Sequence, residues 1–129
     1  MIAIVSTSAG MFAVDLETEE VEQFDDVLAP AEQLELNLPR LVAAAAAGAT
    51  VVAVVDTKPP LVVSHDAGTT WRQSGRGLPP GRAVAIALDD PDTAVFAARN
   101  RLYVTHDGGT FWTAVAVELP EIEAVQLRS

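Results

Sequence analysis

The chain has 129 residues, eighteen acidic and eight basic side chains, and a net charge of −10. This length is enough for one domain with its own apolar core, and the charge disfavours a nucleic-acid partner, because phosphate binding depends on clustered lysine and arginine. The chain has no cysteine, which excludes disulfides and thiolate metal ligands. The N-terminus lacks the basic residues that open a secretory signal, and no apolar run reaches the roughly 20 residues of a membrane span, so we expect a cytosolic protein without a membrane segment.

In chain order, the first elements are short strands predicted from apolar alternation, at residues 2–6, 11–16 and 21–24. The segment 25–37 follows as an insertion, with a helical turn predicted around residues 31–36. Asp89 to Asp92, which includes Pro91, is predicted to form a turn. The remaining β-prone runs predict nine further strands, at residues 41–47, 50–56, 60–64, 71–74, 83–88, 94–98, 101–105, 112–117 and 121–127.

Two octapeptides of this chain are nearly the same. SHDAGTTW begins at Ser64 and THDGGTFW at Thr105, 41 residues later. A Leu-Pro step recurs at a similar interval, at residues 38–39, 78–79 and 119–120. Self-similarity with a period of about 40 residues is typical of β-propellers built from four-stranded blades.

The repeats divide the chain into three predicted four-stranded blades and give an all-β fold. Blade 2 covers about 39–79 and blade 3 about 80–120. Blade 1 combines strands from about 1–38 with the strand at 121–127, since the first repeat lacks a first strand and the C-terminus supplies one. We interpret the chain as one domain that forms half of a six-bladed propeller.

Within each octapeptide the residue types suit a tight turn between the third and fourth strands. A short carboxylate accepts backbone N–H groups in such a turn, and glycine adopts conformations that a Cβ would penalise. The tryptophan is expected to lie between adjacent blades. The residues assigned these roles are Ser64, Asp66, Gly68, Trp71, Thr105, Asp107, Gly109 and Trp112.

These octapeptides resemble a known repeat. SHDAGTTW matches the Asp-box, or bacterial-neuraminidase (BNR), pattern S-x-D-x-G-x-T-W in full, and THDGGTFW matches it with Thr for Ser and Phe for Thr. Residues 77–112 resemble whole blades of sortilin-like, photosystem-assembly-factor-like and xyloglucanase-like propellers. The resemblance implies a sialidase-like propeller of the WD40/YVTN-like type, in which the boxes lie on the periphery and are structural. Residues 15–22 are only a degenerate copy.

Two further pairs of residues, which have no structural role in the octapeptides, are candidates for ligand sites. His65 and His106 occupy one register in neighbouring repeats, too far apart to share an ion, so no metal site is predicted and exposed turn positions are favoured. Arg40 and Arg82 follow Leu-Pro steps just before the innermost strands. They are candidates for an anion site in a central channel, with solvated or ion-paired arginines as the favoured interpretation. No cofactor is predicted.

The family resemblance raises the possibility of an enzyme. Sialidases with this repeat use an arginine triad and a tyrosine nucleophile, but the one tyrosine, Tyr103, aligns with Val62 inside a blade strand. No pair of carboxylates suited to glycoside hydrolysis converges in the sequence pattern. The leading hypothesis is therefore a non-catalytic scaffold that binds a protein or small ligand at the rim or axial channel of its ring. The alternatives are a sialidase-like glycoside hydrolase or lyase whose site forms only in the oligomer, and a fragment of an ancestral propeller.

Three blades leave two unfinished faces, since propellers close with about four to eight. We therefore predict a homo-oligomer. A dimer would exchange the strand Glu121 to Leu127 and form six blades, and three chains would form nine.

Overall fold

The computed structural model describes residues 1–25, 36 and 38–128, and all the regular structure described there is β-strand. The strands in chain order are β1 (Ile2–Thr7), β2 (Gly10–Asp15), β3 (Val21–Gln23), β4 (Leu41–Ala47), β5 (Thr50–Val55), β6 (Leu61–Ser64), β7 (Arg72–Ser74), β8 (Ala83–Ala87), β9 (Asp90–Ala97), β10 (Leu102–Thr105), β11 (Thr113–Ala114) and β12 (Ile122–Arg128). They form three antiparallel sheets of four strands. The predicted all-β fold with three four-stranded sheets is confirmed.

Each sheet is one blade. Blade 1 has the strand order β12-β1-β2-β3, blade 2 the order β4-β5-β6-β7, and blade 3 the order β8-β9-β10-β11. The inner strands β4, β8 and β12 are rich in Ala, Val and Ile, whereas the outer strands β3, β7 and β11 are only two or three residues long. Short outer strands limit the length of unpaired sheet edge exposed on the rim.

Blade 1 is closed within the chain. The C-terminal strand β12 pairs antiparallel with β1, with Val5 opposite Val125 and Ile2 opposite Arg128. The predicted exchange of the strand Glu121 to Leu127 between chains was therefore wrong. The 17 residues between Gln23 and Leu41 span up to roughly 55 Å when extended. This length is enough to connect blade 1 with blade 2 when blade 3 lies between them. Blade 1 can therefore lie beside blade 3 and pair with the C-terminal strand of its own chain, and no second molecule is needed.

The blades form an arc in the spatial order 2, 3, 1. Inner strand β8 packs against both β4 and β12, and no comparable contact joins β4 to β12 among the described strands. One apolar cluster fills the boundary between blades 2 and 3 and includes Val54, Leu61 and Phe96. A second fills the boundary between blades 3 and 1 and includes Val95 and Ile122. Five further buried apolar residues of the described part lie outside both clusters: Ile4, Val51, Ala53, Val55 and Ala87.

Two local predictions differ from the structure. The turn predicted at Asp89 to Asp92 is shorter, and β9 already begins at Asp90. A register shift beside Ala87 accommodates the segment, in which Asp90 accepts hydrogen bonds from the Asp92 N–H and the Thr93 hydroxyl. The fourth strand of blade 3 is also shorter than predicted, because β11 covers only Thr113–Ala114. The helical turn predicted around 31–36 lies outside the described residues except at Leu36.

Candidate functional site

The first aspartate turn, residues 64–71, joins β6 to β7 in blade 2. The Ser64 hydroxyl donates to Asp66 Oδ1 at 2.7 Å and accepts the Gly68 N–H at 2.8 Å. The Asp66 carboxylate also accepts both the backbone N–H and the hydroxyl of Thr70. These bonds, with the Thr70 hydroxyl foremost, lower the pKa of Asp66 from 3.8 to about 2. Asp66 is thus held as a carboxylate that organises its own turn.

The second aspartate turn, residues 105–112, repeats this arrangement between β10 and β11 in blade 3. The Thr105 hydroxyl donates to Asp107 Oδ1 at 2.7 Å and accepts the Gly109 N–H at 3.0 Å. The Phe111 N–H donates to Asp107 at 3.0 Å and is the main cause of the lowered pKa of that carboxyl. The carboxylates of both aspartates accept hydrogen bonds from backbone N–H and hydroxyl groups of their own turn.

Blade 1 has a simpler turn at the matching place. Asp15 Oδ1 accepts the N–H groups of Glu17 and Thr18, at 2.9 and 3.2 Å, and these bonds lower the pKa of Asp15. Glu19 adopts a φ of 62° in this turn. Its carboxylate accepts the Ala116 N–H at 3.2 Å, which links blade 1 to blade 3.

The boundary between blades 2 and 3 carries a polar link inside its apolar cluster. The Trp112 indole N–H donates to Ser74 Oγ at 2.8 Å, and the buried Ser74 hydroxyl donates to the Gly109 carbonyl. The Trp112 ring meets Phe96 edge-on, with centroids 6.1 Å apart. The second aspartate turn thus presents Trp112 and Gly109 to the outer strand β7 of the preceding blade.

The two histidines lie in these turns, and they share no contact partner. His65 Nδ1 lies 3.4 Å from the Thr50 hydroxyl and its Nε2 lies 3.4 Å from Arg72. His106 Nδ1 lies 3.4 Å from the Thr93 hydroxyl. Within residues 1–25, 36 and 38–128, no group of three or more His, Asp or Glu side chains is placed to hold a metal ion.

A groove of about 570 Å³ opens on blade 3, at the end opposite the aspartate turn. We call it the arginine groove. It is formed by the connection from β7 to β8, the turn between β9 and β10, and Glu118 after β11. Its lining residues are Pro79, Pro80, Gly81, Arg82, Ala98, Arg99, Asn100, Arg101, Tyr103 and Glu118. Three of the chain's eight basic residues therefore converge in one depression of an acidic protein.

The three arginines of the groove differ in their partners. Arg82 pairs with Glu121 at 2.6 Å, which lowers the pKa of Glu121, and Arg101 pairs with Glu118 at 3.2 Å. Both pairs are partly exposed to solvent. Arg99 is exposed and forms no ion pair with the described part of the chain. Its positive charge also contributes to the lowered pKa of Glu121, so Arg99 acts on this carboxylate without contacting it.

Arg40 and Arg82, the two predicted candidates for an anion site, do not line the same groove. Both come directly before an inner strand, but only Arg82 lines the arginine groove. Arg40 is exposed, has a φ of 60°, and accepts the Asp56 N–H at its carbonyl. The arc is open among the described strands, so these arginines do not line a closed channel within one chain.

Three residues of the groove, Gly81, Arg99 and Arg101, were not predicted as site residues from the sequence. A Cβ on Gly81 would overlap the Phe96 ring, so this glycine allows the β7 to β8 connection to lie directly on the aromatic floor of the groove. Arg99 and Arg101 flank the hairpin turn at Asn100. The two arginines on either side of one turn were a signal that the sequence contained. The sequence did not show that this turn faces the Leu-Pro-Pro-Gly connection, because only the tertiary structure brings the two segments together.

The described part of the chain contains no helix long and apolar enough to cross a membrane. No protein-family model matches the chain, and neither does any curated protein.

Solved structures do match the fold. "YCF48 bound to D1 peptide" aligns with a TM-score of 0.53 and 19% identity, over 92% of this chain and 38% of that one. "Crystal structure of Niastella koreensis GH74 (NkGH74) enzyme" aligns with a TM-score of 0.53 and 21% identity, over 92% of this chain and 18% of that one. The chain thus spans well under half the length of either neighbour. Both neighbours are propellers, and the chain has a partial β-propeller fold of three blades.

Proposed function

We propose that this chain is a non-catalytic propeller scaffold of the Asp-box type, which assembles by self-association and binds an acidic peptide segment of a partner protein in the arginine groove. The observation that carries the proposal is the exposed guanidinium of Arg99, which forms no ion pair with the described residues and lies beside two further arginines in an otherwise acidic chain. Guanidinium groups form bidentate bonds with carboxylates, which gives both charge and geometric selection.

The shape of the groove supports an extended ligand. Its volume of about 570 Å³ lies within the range of sites that bind small molecules or short peptide segments. Pro79, Pro80 and Tyr103 supply apolar surface next to the charges. A structural neighbour is described as bound to a peptide, which agrees with this type of ligand.

The residues of the groove argue against glycoside hydrolysis there. Glycosidases use two carboxyl groups on either side of the scissile bond. Glu118 is the one carboxylate in the lining, and it is paired with Arg101. The GH74 neighbour keeps an enzyme as the second hypothesis, and turnover of a glucan or sialoside by the pure protein would overturn the non-catalytic proposal.

Peptide binding can be measured by fluorescence anisotropy with a labelled glutamate-rich peptide and a matched glutamine-rich peptide. We expect saturable, salt-sensitive binding of the acidic peptide only. Arg99→Ala should weaken it about tenfold, the effect of losing one charge-assisted contact. Arg72→Ala, which removes an exposed arginine outside the groove, is the matched control. Absence of binding, or equal losses in both variants, would reject the groove as the site.

A further inference from the structure

Two depressions meet on the rim where the outer strand β7 of blade 2 borders the second aspartate turn of blade 3. One, of about 240 Å³, lies between β7 and that turn, and the other, of about 270 Å³, lies beside Phe111 and Trp112. Gly75, Arg76 and Thr110 line both depressions, so the two are continuous. We call them together the rim groove. It shares no described lining residue with the arginine groove.

The first depression contains two positive charges. Arg72 and Arg76 line it, both are exposed, and neither forms an ion pair with the described residues. Arg72 Nη2 lies 3.4 Å from His65 Nε2. The described residues that line the two depressions include no Asp or Glu, whereas Glu118 offsets one arginine of the arginine groove. The rim groove therefore presents two guanidinium groups to one anion.

The second depression contains an aromatic side chain that its turn does not need. Phe111 is 75% exposed and takes the place that Thr70 has in the first aspartate turn. The Thr70 hydroxyl donates to Asp66, whereas Phe111 donates only its backbone N–H to Asp107. The phenylalanine thus leaves the turn with one hydrogen bond fewer and exposes a ring to water. Exposed apolar surface beside a half-buried ring, that of Trp112, is typical of a ligand site.

The walls of the rim groove are held in place by the chain itself. The buried Ser74 hydroxyl donates to the Gly109 carbonyl and accepts the Trp112 indole N–H, which fixes β7 against the second aspartate turn. The Leu78 N–H donates to the Gly75 carbonyl at 3.0 Å and closes the turn that follows β7. Because these groups already have fixed positions, binding would require little ordering of the protein.

We propose that the rim groove binds a nucleoside monophosphate, with the phosphate at Arg72 and Arg76 and the base on Phe111 and Trp112. A phosphate monoester carries nearly two negative charges at neutral pH and suits two guanidinium groups. A planar base stacks on an aromatic side chain. Two depressions side by side suit a ligand whose phosphate and ring are separated by a spacer such as ribose. The net charge of −10 disfavours a nucleic-acid strand, which would bring many further phosphates.

Isothermal titration calorimetry with adenosine monophosphate (AMP), adenosine and inorganic phosphate tests this site. We expect one AMP per chain, with adenosine and phosphate each bound at least about tenfold more weakly, because each keeps only part of the contacts. Arg76→Ala should weaken AMP binding about tenfold, the effect of losing one charge-assisted contact. Phe111→Thr should weaken AMP binding and leave phosphate binding unchanged. Since Phe111→Thr introduces the residue of the first turn, its melting temperature should not fall.

Arg99→Ala, in the arginine groove, is the matched control and should leave AMP binding unchanged. No binding of AMP, equal losses in Arg76→Ala and Arg99→Ala, or undiminished AMP binding by Phe111→Thr would overturn the proposal. Tighter binding of a phosphotyrosine peptide than of AMP would also overturn it, because the site would then recognise a modified protein. The glutamate-rich peptide should bind Arg76→Ala as it binds the native chain, so the failure of either proposal leaves the other standing.

Discussion

Ser74 in blade 2 and Trp112 in blade 3 are joined by a hydrogen bond of 2.8 Å across the boundary between the two blades. The same serine hydroxyl donates to the Gly109 carbonyl, so one buried side chain satisfies two groups of the neighbouring blade. This link couples the aspartate turn, whose backbone is set by Asp107, to the packing of one blade on the next. The turn motif thus contributes to cohesion between blades as well as to its own hairpin.

Replacing this serine should destabilise the boundary. Ser74→Ala leaves the Trp112 N–H and the Gly109 carbonyl without their partner, and an unsatisfied buried polar group costs about 1–3 kcal/mol. Urea unfolding followed by tryptophan fluorescence measures the loss. Gln73→Ala, at the adjacent exposed position of the same strand, should change the free energy of unfolding by less than about 0.5 kcal/mol. Equal effects at the two positions would contradict a specific link.

The two aspartate turns differ at one strained position. Ala67 has a φ of 58°, and its counterpart Gly108 has a φ of 69°. This left-handed conformation costs a residue with a Cβ about 1–2 kcal/mol, which glycine avoids at some expense in chain entropy. Ala67→Gly should therefore raise the free energy of unfolding by about 0.5–1 kcal/mol.

The reverse change in blade 3 is the control for that prediction. Gly108→Ala should lower stability by more than Ala67→Gly raises it, because the new Cβ would also lie 3.1 Å from the His65 ring. Thermal unfolding of both variants provides the comparison. Destabilisation by Ala67→Gly would show that the backbone of that turn is not left-handed at residue 67.

The lowered pKa of Asp66 makes stability depend on pH in acid. Its folded-state pKa of about 2 lies below the ordinary value of 3.8, so its contribution is fully present above pH 3.8 and is lost as the pH falls toward 2. Asp107 shifts in the same direction. Melting temperatures measured across this range should fall steeply for the native sequence. In Asp66→Asn the melting temperature should be lower at neutral pH and its decline in acid should be shallower; an unchanged slope would contradict the assigned role of Asp66.

The connection over Phe96 has little spare volume. Gly81→Ala should destabilise the protein by about 1–3 kcal/mol, the usual range for overpacking, because the added methyl group overlaps the Phe96 ring. Phe96→Leu provides a compensating change. In a double-mutant cycle measured by urea unfolding, the combined loss should be smaller than the sum of the single losses. Strict additivity would mean that residues 81 and 96 do not touch.

Much of the fold could be predicted from the sequence because the repeats contain recognisable turn motifs between their strands. The octapeptides at Ser64 and Thr105 fix two hairpins, and the apolar alternation around them predicted strands within a few residues of those observed. The start of β9 was misplaced because Pro91 and the neighbouring aspartates are typical of turns. In the structure a register irregularity accepts them inside a strand.

The closure of blade 1 and the arginine groove were harder to predict. Strand complementarity between β1 and β12 was recognised, but sequence pattern alone does not distinguish pairing within a chain from pairing between chains. The groove depends on Arg99 and Arg101 meeting the connection at Gly81, and these segments are separated by the whole of β8 and β9. This contact follows from the order of the strands in the sheet, and the spacing of residues along the sequence does not predict that order.

The most direct test of the account concerns the pairing of β12 with β1 in the same chain. Ser6 and Ala124 face each other in this pair, both are small and half-buried, and the chain has no native cysteine. The variant Ser6→Cys, Ala124→Cys should be oxidised and run on a denaturing, non-reducing gel, with each single variant as a control. We predict a cross-linked species of single-chain mass that migrates faster than its reduced form. A disulfide-linked species of two chains, formed by the double variant alone, would contradict closure within the chain.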